Sequence, residues 1–314
     1  MNILVTAIGS FSADCVISSL KRAGHRVIGC DIYPSEWHPV SKDCNQVYQV
    51  PFATQTDKYI EALLHICHIE RIDMLFPLTD LEIDVLNHHR ESFTMNNVLL
   101  CIQSEYCLSI ARNKYEQANF FRGSIINVPD TILATDDLTH LVYPVVAKPY
   151  DGRSSEGLHR LMSCDDMFLI RNREKYIIQE MLQGSIFTVD YVRDGFGNDF
   201  SVPREELLRT KNGAGTTVRV TPSETLSEMA SFIGSSLGVV GCINMEFIDS
   251  NGKYYLIDIN PRFSAGVAFS YCAGYDMVQN HLSSFLNYPI DKQIAIVEQI
   301  IAKRYREEVI CVKQ

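Results

Sequence analysis

The first hundred residues alternate short apolar runs with helical stretches, and this alternation restricts the fold more than any other feature. Ile3-Leu4-Val5-Thr6-Ala7 is a strand-length apolar run that ends at Ile8-Gly9-Ser10. A helical stretch follows from Ala13 to Ala23 and stops at Gly24, and His25-Arg26-Val27-Ile28-Gly29-Cys30-Asp31 reads as a second strand. Residues 57–68 then read as helix, 74–77 as strand, 81–90 as helix and 98–102 as strand. Parallel strands need a crossover long enough to hold a helix, so this pattern predicts a doubly wound α/β unit over residues 1–105. Open sheets of this kind bind ligands at the carboxyl ends of their strands. Residues 9–12, Asp31 and Thr79-Asp80 lie there. A dinucleotide is not the expected ligand. The turn at 9–14 lacks the second and third glycines that admit a pyrophosphate, although Asp31 stands about 20 residues on, where a ribose-binding acid would be.

Composition narrows the functional class. Of 314 residues, 46% are hydrophobic and 21% charged, as in ordinary globular proteins. No stretch reaches the roughly 18–20 apolar residues that cross a bilayer, and Met1-Asn2-Ile3-Leu4-Val5 carries no basic leader, so a cytoplasmic location and no membrane partner are expected. The ten cysteines are scattered without a CxxC pair, which argues against a disulfide framework. Cys67 between His65 and His68 lacks the second ligand cluster that zinc needs, and His88-His89 reads as a solvated helix end. With 28 basic against 38 acidic side chains the net charge is −10, which excludes a global field for nucleic acid. Any phosphate must be held by a local cluster of cations and backbone amides.

Beyond residue 142 the texture changes. Strands are predicted at 145–149, 158–161, 176–180 and 186–192, with a polar turn at 151–157. A helix is predicted at 223–237, and strands at 242–248 and 253–259 are joined by a turn with the hairpin signal Asn251-Gly252. The tail reads as helix at 275–286 and 293–304. Period two puts Asp258 and Asn260 on one face of the returning strand, and pairing across the turn can set Glu246 opposite them. Two carboxylates and an amide oxygen suit magnesium when phosphates complete its octahedron. A solvated polar face balanced by Arg262 is the alternative. The strongly apolar flanks oppose it, because they imply a buried sheet where unpaired acids are costly. Lys148 ends an apolar strand just before the small-residue turn, where a lysine reaches a phosphate as a point charge. One such pair at 4 Å is worth about 4 kcal/mol at an effective dielectric of 20, so a triphosphate needs further cations. Lys114, Arg204, Arg262 and a metal ion are the available supply. Ser154 and Ser155 have no base motif nearby, so no covalent serine mechanism is expected.

The order Asn113-Lys114, Tyr143-Pro-Val-Val-Ala-Lys148-Pro with Gly152-Arg-Ser-Ser-Glu-Gly157, Gln179-Glu180-Met-Leu-Gln-Gly184, Glu246 and Asp258-Ile-Asn260-Pro-Arg262 resembles ATP-grasp enzymes, closest in flavour to the carbamoyl-phosphate synthase large chain. The resemblance runs from about Asn113 to Gly274, in a single copy. It implies an α+β fold in which a pre-ATP-grasp domain (1–105) precedes a small lobe with a phosphate flap (106–182) and a large lobe with the metal site and a helical C-terminus (183–314). It implies ATP held by Lys114, Lys148, Gly152, Ser154, Ser155 and Gly157, with Glu180, Met181, Leu182 and Met245 around the nucleotide. Glu246, Asp258 and Asn260 would hold magnesium or manganese, and Arg262, Arg204 and Lys148 would serve catalysis. Ser10, Phe11, Asp31, Thr79, Asp80, Arg209, Lys211 and Ser264 are the loop residues expected to meet the substrate.

The implied reaction is ATP-dependent ligation of a small-molecule carboxylate, such as an amino acid or sugar acid, to an amine through an acylphosphate. A homodimer is compatible with it. A single copy argues against a complete carbamoyl-phosphate synthase, whose large chain carries two such halves. Two departures stand out. Glu246 and Asp258 occupy positions that are often Gln and Glu, and Ile186 stands where many relatives place a ribose-binding Glu. The alternative is therefore a nucleotide-binding regulatory or scaffold protein of the same fold.

Overall fold

In the computed structural model, which describes residues 1–153 and 156–303, the chain builds three sheets. β1 (Asn2–Val5), β2 (Arg26–Asp31), β3 (Gln46–Gln49), β4 (Met74–Phe76) and β5 (Leu99–Leu100) form the first, in the order β3-β2-β1-β4-β5 with every pair parallel. Three crossovers are α-helical, α1 (Ala13–Arg22), α2 (Thr56–Glu70), then α3 (Asp80–Asn87) with α4 (Arg90–Met95), while short 3-10 turns link β2 to β3. The stretch expected as one helix over 81–90 is thus two, broken at His88-His89. α3 is capped by Thr79, whose N–H and hydroxyl both donate to the Glu82 carboxylate (3.2 and 2.7 Å). Strand order reverses between β1 and β4, so the crevice for a ligand opens between the loops that follow them.

The second sheet is small and antiparallel, with β6 (Thr131–Leu133), β7 (Val145–Pro149), β8 (His159–Leu161) and β9 (Tyr176–Glu180) in the order β6-β9-β7-β8. It encloses its own core of Val145, Ala147, Leu161, Met167, Ile170 and Ile178. The third sheet runs β14-β13-β10-β11-β12-β15, from β10 (Ser185–Arg193), β11 (Asp199–Arg209), β12 (Gly215–Val220), β13 (Gly241–Ser250), β14 (Lys253–Asn260) and β15 (Gln299–Ala302). α5 (Glu105–Ala111), α6 (Lys114–Phe121) and α7 (Glu224–Ser236) contribute Cys107, Ile110, Phe121, Leu226 and Ile233 to the core on one face of this sheet. α8 (Val267–Cys272) and α9 (Met277–Phe285) cover the region next to the parallel sheet, and one apolar cluster joins Ile3, Val16 and Phe76 to Val202, Phe263 and Val278.

The helix expected over 293–304 does not form within the described residues. Residues 291–298 are irregular and Gln299–Ala302 is a strand paired antiparallel with β12, Val218 opposite Ile301. The run Ile294, Ile296, Val297, Ile300, Ile301 is rich in β-branched residues, and the open edge of β12 supplies the ladder that a helix would compete with. Arg304 lies outside the described residues.

Candidate active site

The polar residues of the large sheet meet on one face because its strands are in register. Asp258 on β14 lies opposite Glu246 on β13, which lies opposite Thr188 on β10, which lies opposite Arg204 on β11. The next row is Asn260, Asn244 and Asp190. These side chains are largely withdrawn from water, so each charge has found a counter-charge. Arg204 donates to Asp190 (2.6 Å), Glu206 (3.3 Å) and Ser264 (3.0 Å). Arg209 donates to Glu246 (2.8 Å), and Lys114 meets Asp258 at 3.0 Å and the Gly152 carbonyl at 2.9 Å. Asn260 donates to Asn244 (3.2 Å), which donates to the Arg262 carbonyl (3.0 Å).

Arg262 reaches across to the parallel sheet, where its guanidinium donates to Asp80 at 2.8 Å. Burial by itself would raise the Asp80 carboxyl, but Arg262 and Arg112 more than offset it and hold its pKa below the ordinary value. Glu246 goes the other way: burial pushes it up, Arg209 opposes, and Asp258 and Glu206 add like charge. Lys148 donates to the Ile257 carbonyl (3.4 Å), and burial, with Lys114 beside it, pushes its ammonium down to about 8.

A cavity of about 600 Å³ lies over this face, at the switch point between β1 and β4. Ser10, Phe11, Thr79, Asp80, Arg204, Arg209, Glu246, Asp258, Asn260, Arg262 and Ser264 all line it. Other expected residues stand elsewhere. Asp31 is not on the wall: its carboxylate accepts the Gly9 N–H (2.9 Å) and Tyr33 N–H (3.1 Å) and meets His38 at 3.2 Å, so it closes the turn after β1. Lys211 is exposed in the β11–β12 turn, and residues 212–215 form the wall instead.

Met245 is fully buried in the core with Phe247 and Leu256, because alternation sends it to the face opposite Glu246. Glu180 ends β9 and accepts the Asp130 N–H (3.2 Å), and Met181 and Leu182 follow it into the link to β10, away from the cavity wall. Gly152 and Gly157 flank a turn whose Ser154 and Ser155 lie outside the described residues.

Sequence reasoning missed Thr188, Asp190, Asn244 and Glu206. Asp190 carried a signal, as the one acid inside the apolar run 186–192. Glu206 carried none, since β11 and β12 were not predicted. Among the described residues no three His, Cys, Asp or Glu side chains cluster at metal-binding distance, so a cation here would rest on two carboxylates and amide, phosphate or water oxygens.

Comparison with known proteins fits this architecture. A family model described as an ATP-grasp domain matches residues 111–266, and one described as a PylC-like N-terminal domain matches residues 3–101. The chain is 33% identical over 131 residues to the carbamoyl phosphate synthase large chain of Thermoplasma acidophilum, and the match covers 38% of this chain. It is 29% identical over 144 residues to that of Agathobacter rectalis, with 40% of this chain covered. The matches span only 12% and 13% of those relatives' lengths.

Among solved structures, biotin carboxylase from Campylobacter jejuni superposes with a TM-score of 0.78 at 16% identity, over 93% of this chain and 72% of that one. N5-carboxyaminoimidazole ribonucleotide synthetase from Thermotoga maritima gives 0.71 at 17% identity, over 95% and 79%. Identities this low speak for the fold alone. The two family models together with that fold identify the chain as a member of the ATP-grasp superfamily, with a PylC-like domain ahead of its ATP-grasp domain.

Proposed function

We propose that the chain is an ATP- and magnesium-dependent ligase that joins a small carboxylic acid, such as an amino acid or sugar acid, to an amine. The observation that carries this is the meeting of Glu246, Asp258, Asn260 and Arg262 on one cavity wall at the switch point of the parallel sheet, with Lys114 paired to Asp258 and Lys148 on the neighbouring Ile257 carbonyl, both just off that wall. Residues 1–105 supply the acceptor side of that cavity, 106–182 the phosphate cover and 183–314 the metal floor. Lys114 and Lys148 hold the phosphates. Glu246, Asp258 and Asn260 hold magnesium or manganese. The donors fit such an ion, because two directly opposed carboxylates crowd one another and a hard cation relieves that repulsion. Bound there, the ion would neutralise phosphate charge.

An oxygen of the acid attacks the γ-phosphorus, the bond to the β,γ-bridging oxygen breaks, and ADP leaves. The amine then attacks the acyl carbon, phosphate departs, and the nitrogen gives up a proton. Arg262 stands at the cavity to stabilise the phosphoryl charge, which is where positioning and electrostatics do the catalytic work. Arg204, saturated by Asp190, Glu206 and Ser264, orders the wall instead of meeting the reactants.

The test is phosphate release from ATP with a panel of acids and amines. ADP and phosphate are expected only when the right acid and amine are both present, and Lys148→Ala should abolish the signal. Turnover independent of any acid would count against the proposal. One feature favours a second reading, a nucleotide-binding protein without turnover. Ile186 faces Ile248 across the strand pair, a site where the resemblance calls for a ribose-binding acid. Nucleotide binding without release across the whole panel, with full function in Asp258→Asn, would favour it.

A further inference from the structure

Every arginine on the cavity wall is already engaged by a carboxylate. Arg153 meets Asp84 (3.2 Å), Arg204 meets Asp190 (2.6 Å), Arg209 meets Glu246 (2.8 Å) and Arg262 meets Asp80 (2.8 Å). Among the described residues, an anionic substrate entering the cavity therefore meets only guanidinium groups that already hold a carboxylate. Arg209 differs from the others in one respect: its partner is an acid assigned above to the metal.

The local geometry of Arg209 is built for that pairing. β11 is irregular between Glu206 and Arg209, and the extra residue turns Leu208 to solvent (61% exposed). Strict alternation from Arg204 and Glu206 would put position 208 on the cavity face and 209 on the other. The bulge reverses this and delivers Arg209 to the cavity. Its Nε is pinned by the Gly213 carbonyl (2.6 Å), in a turn that Gly213 makes with a left-handed φ of +86°. The guanidinium is thus held by backbone at one corner and by Glu246 at another.

We infer a latent oxyanion subsite at Arg209, closed by Glu246 in the free protein and opened when a divalent cation takes that carboxylate. The inference rests on the metal role proposed for Glu246. Arg209 holds one oxygen of the Glu246 carboxylate, and a cation on that carboxylate draws off its charge and repels the guanidinium, so metal binding weakens the pair and frees Arg209 for a phosphoryl or carboxylate oxygen. Anion affinity in the free protein is then reduced by the small fraction in which the pair is open. Linkage makes the effect reciprocal: metal strengthens anion binding by the factor by which anion strengthens metal binding. The metal-nucleotide should bind before the acid.

The test uses the full chain, inorganic phosphate and acetate by calorimetry, and Mn²⁺ by electron paramagnetic resonance. Glu246→Gln should bind phosphate or acetate without any metal at least about tenfold more tightly than wild type, and Glu246→Gln/Arg209→Met should lose the gain. A phosphate-only gain identifies the nucleotide's phosphoryl group as the occupant, and an acetate-only gain the acid substrate. An anion merely bridged by metal predicts no metal-free binding in Glu246→Gln, which would overturn the inference. Arg209→Met should bind Mn²⁺ more tightly than wild type in the absence of nucleotide, since a competing cation is gone. Unchanged Mn²⁺ affinity would overturn it as well. The Glu246→Gln arm contains neither metal nor ATP, so its failure is distinct from absence of ligase turnover.

Discussion

Arg204 heads the fully buried side chains by size, and it carries a charge into the interior at 1% exposure. Burial alone would lower its pKa; Asp190 and Glu206 overcome that and raise it. Among the described residues, Asp190 Oδ1 and Glu206 Oε2 have no hydrogen-bond partner, so these two acids rely largely on the guanidinium. Removing the cation strands two buried carboxylates, so Arg204→Met should destabilise the fold by about 3–5 kcal/mol, seen as a lower urea midpoint. Arg204→Lys should not rescue it, because an ammonium lacks the planar fork that serves three partners.

Lys148 gives a pH prediction with a definite sign. Its folded pKa of about 8 lies below its ordinary 10.5, so between those values the unfolded chain binds more protons. Its contribution to stability is adverse below about pH 8 and improves as pH rises through that window. A phosphate beside it reverses the preference. Binding of MgATP near pH 8.5 should therefore take up protons, measurable by calorimetry in buffers of different ionisation enthalpy, and the uptake should vanish in Lys148→Met.

At the scale of elements, β15 is a short outer strand that takes up the free ladder groups of β12. It covers β12 along Thr217, Val218, Arg219 and Val220, and Lys303 after it donates to the Ala265 carbonyl (3.0 Å) beside the cavity. A chain ending at residue 298 should expose the β12 edge and self-associate, detectable by sedimentation velocity. The link between β9 and β10 is equally constrained. A Cβ on Gly184 would fall within van der Waals contact of the Asp249 carbonyl oxygen on β13, so Gly184→Ala must part β10 from β13 and should lower Tm. Elements with a strong local signature were legible: the βαβ opening, the Asn251-Gly252 hairpin and the helix at 224–236. β11 was not, because Arg204, Glu205, Glu206 and Arg209 hide a strand whose charges are satisfied by distant partners.

For the molecule as a whole, one apolar cluster runs from the parallel sheet and α1 into β10–β12 and α9. The Arg262–Asp80 and Ser19–Asp276 contacts (2.8 Å each) join the same two regions. With this much shared burial the N-terminal sheet and the large sheet should unfold together. Calorimetry should give one transition with equal calorimetric and van't Hoff enthalpies for these regions, and two separated transitions would show that the shared cluster is not cooperative.

The sequence by itself determined what is set by short-range physics. Strand and helix periods fix which side chains share a face, so Glu246, Asp258, Asn260 and Lys148 could be grouped as one chemistry from their spacing and motif order. Tertiary structure decided the partners. Asp80 and Arg262 are 182 positions apart, and Arg209 reaches Glu246 only because a bulge re-aims it. Met245 and Asp31 left the site for reasons of packing and turn closure, and the run near 300 became a strand because an edge was there to receive it. Local periodicity specifies a face, but ion pairing among buried charges depends on distances that exist only once the sheets have packed.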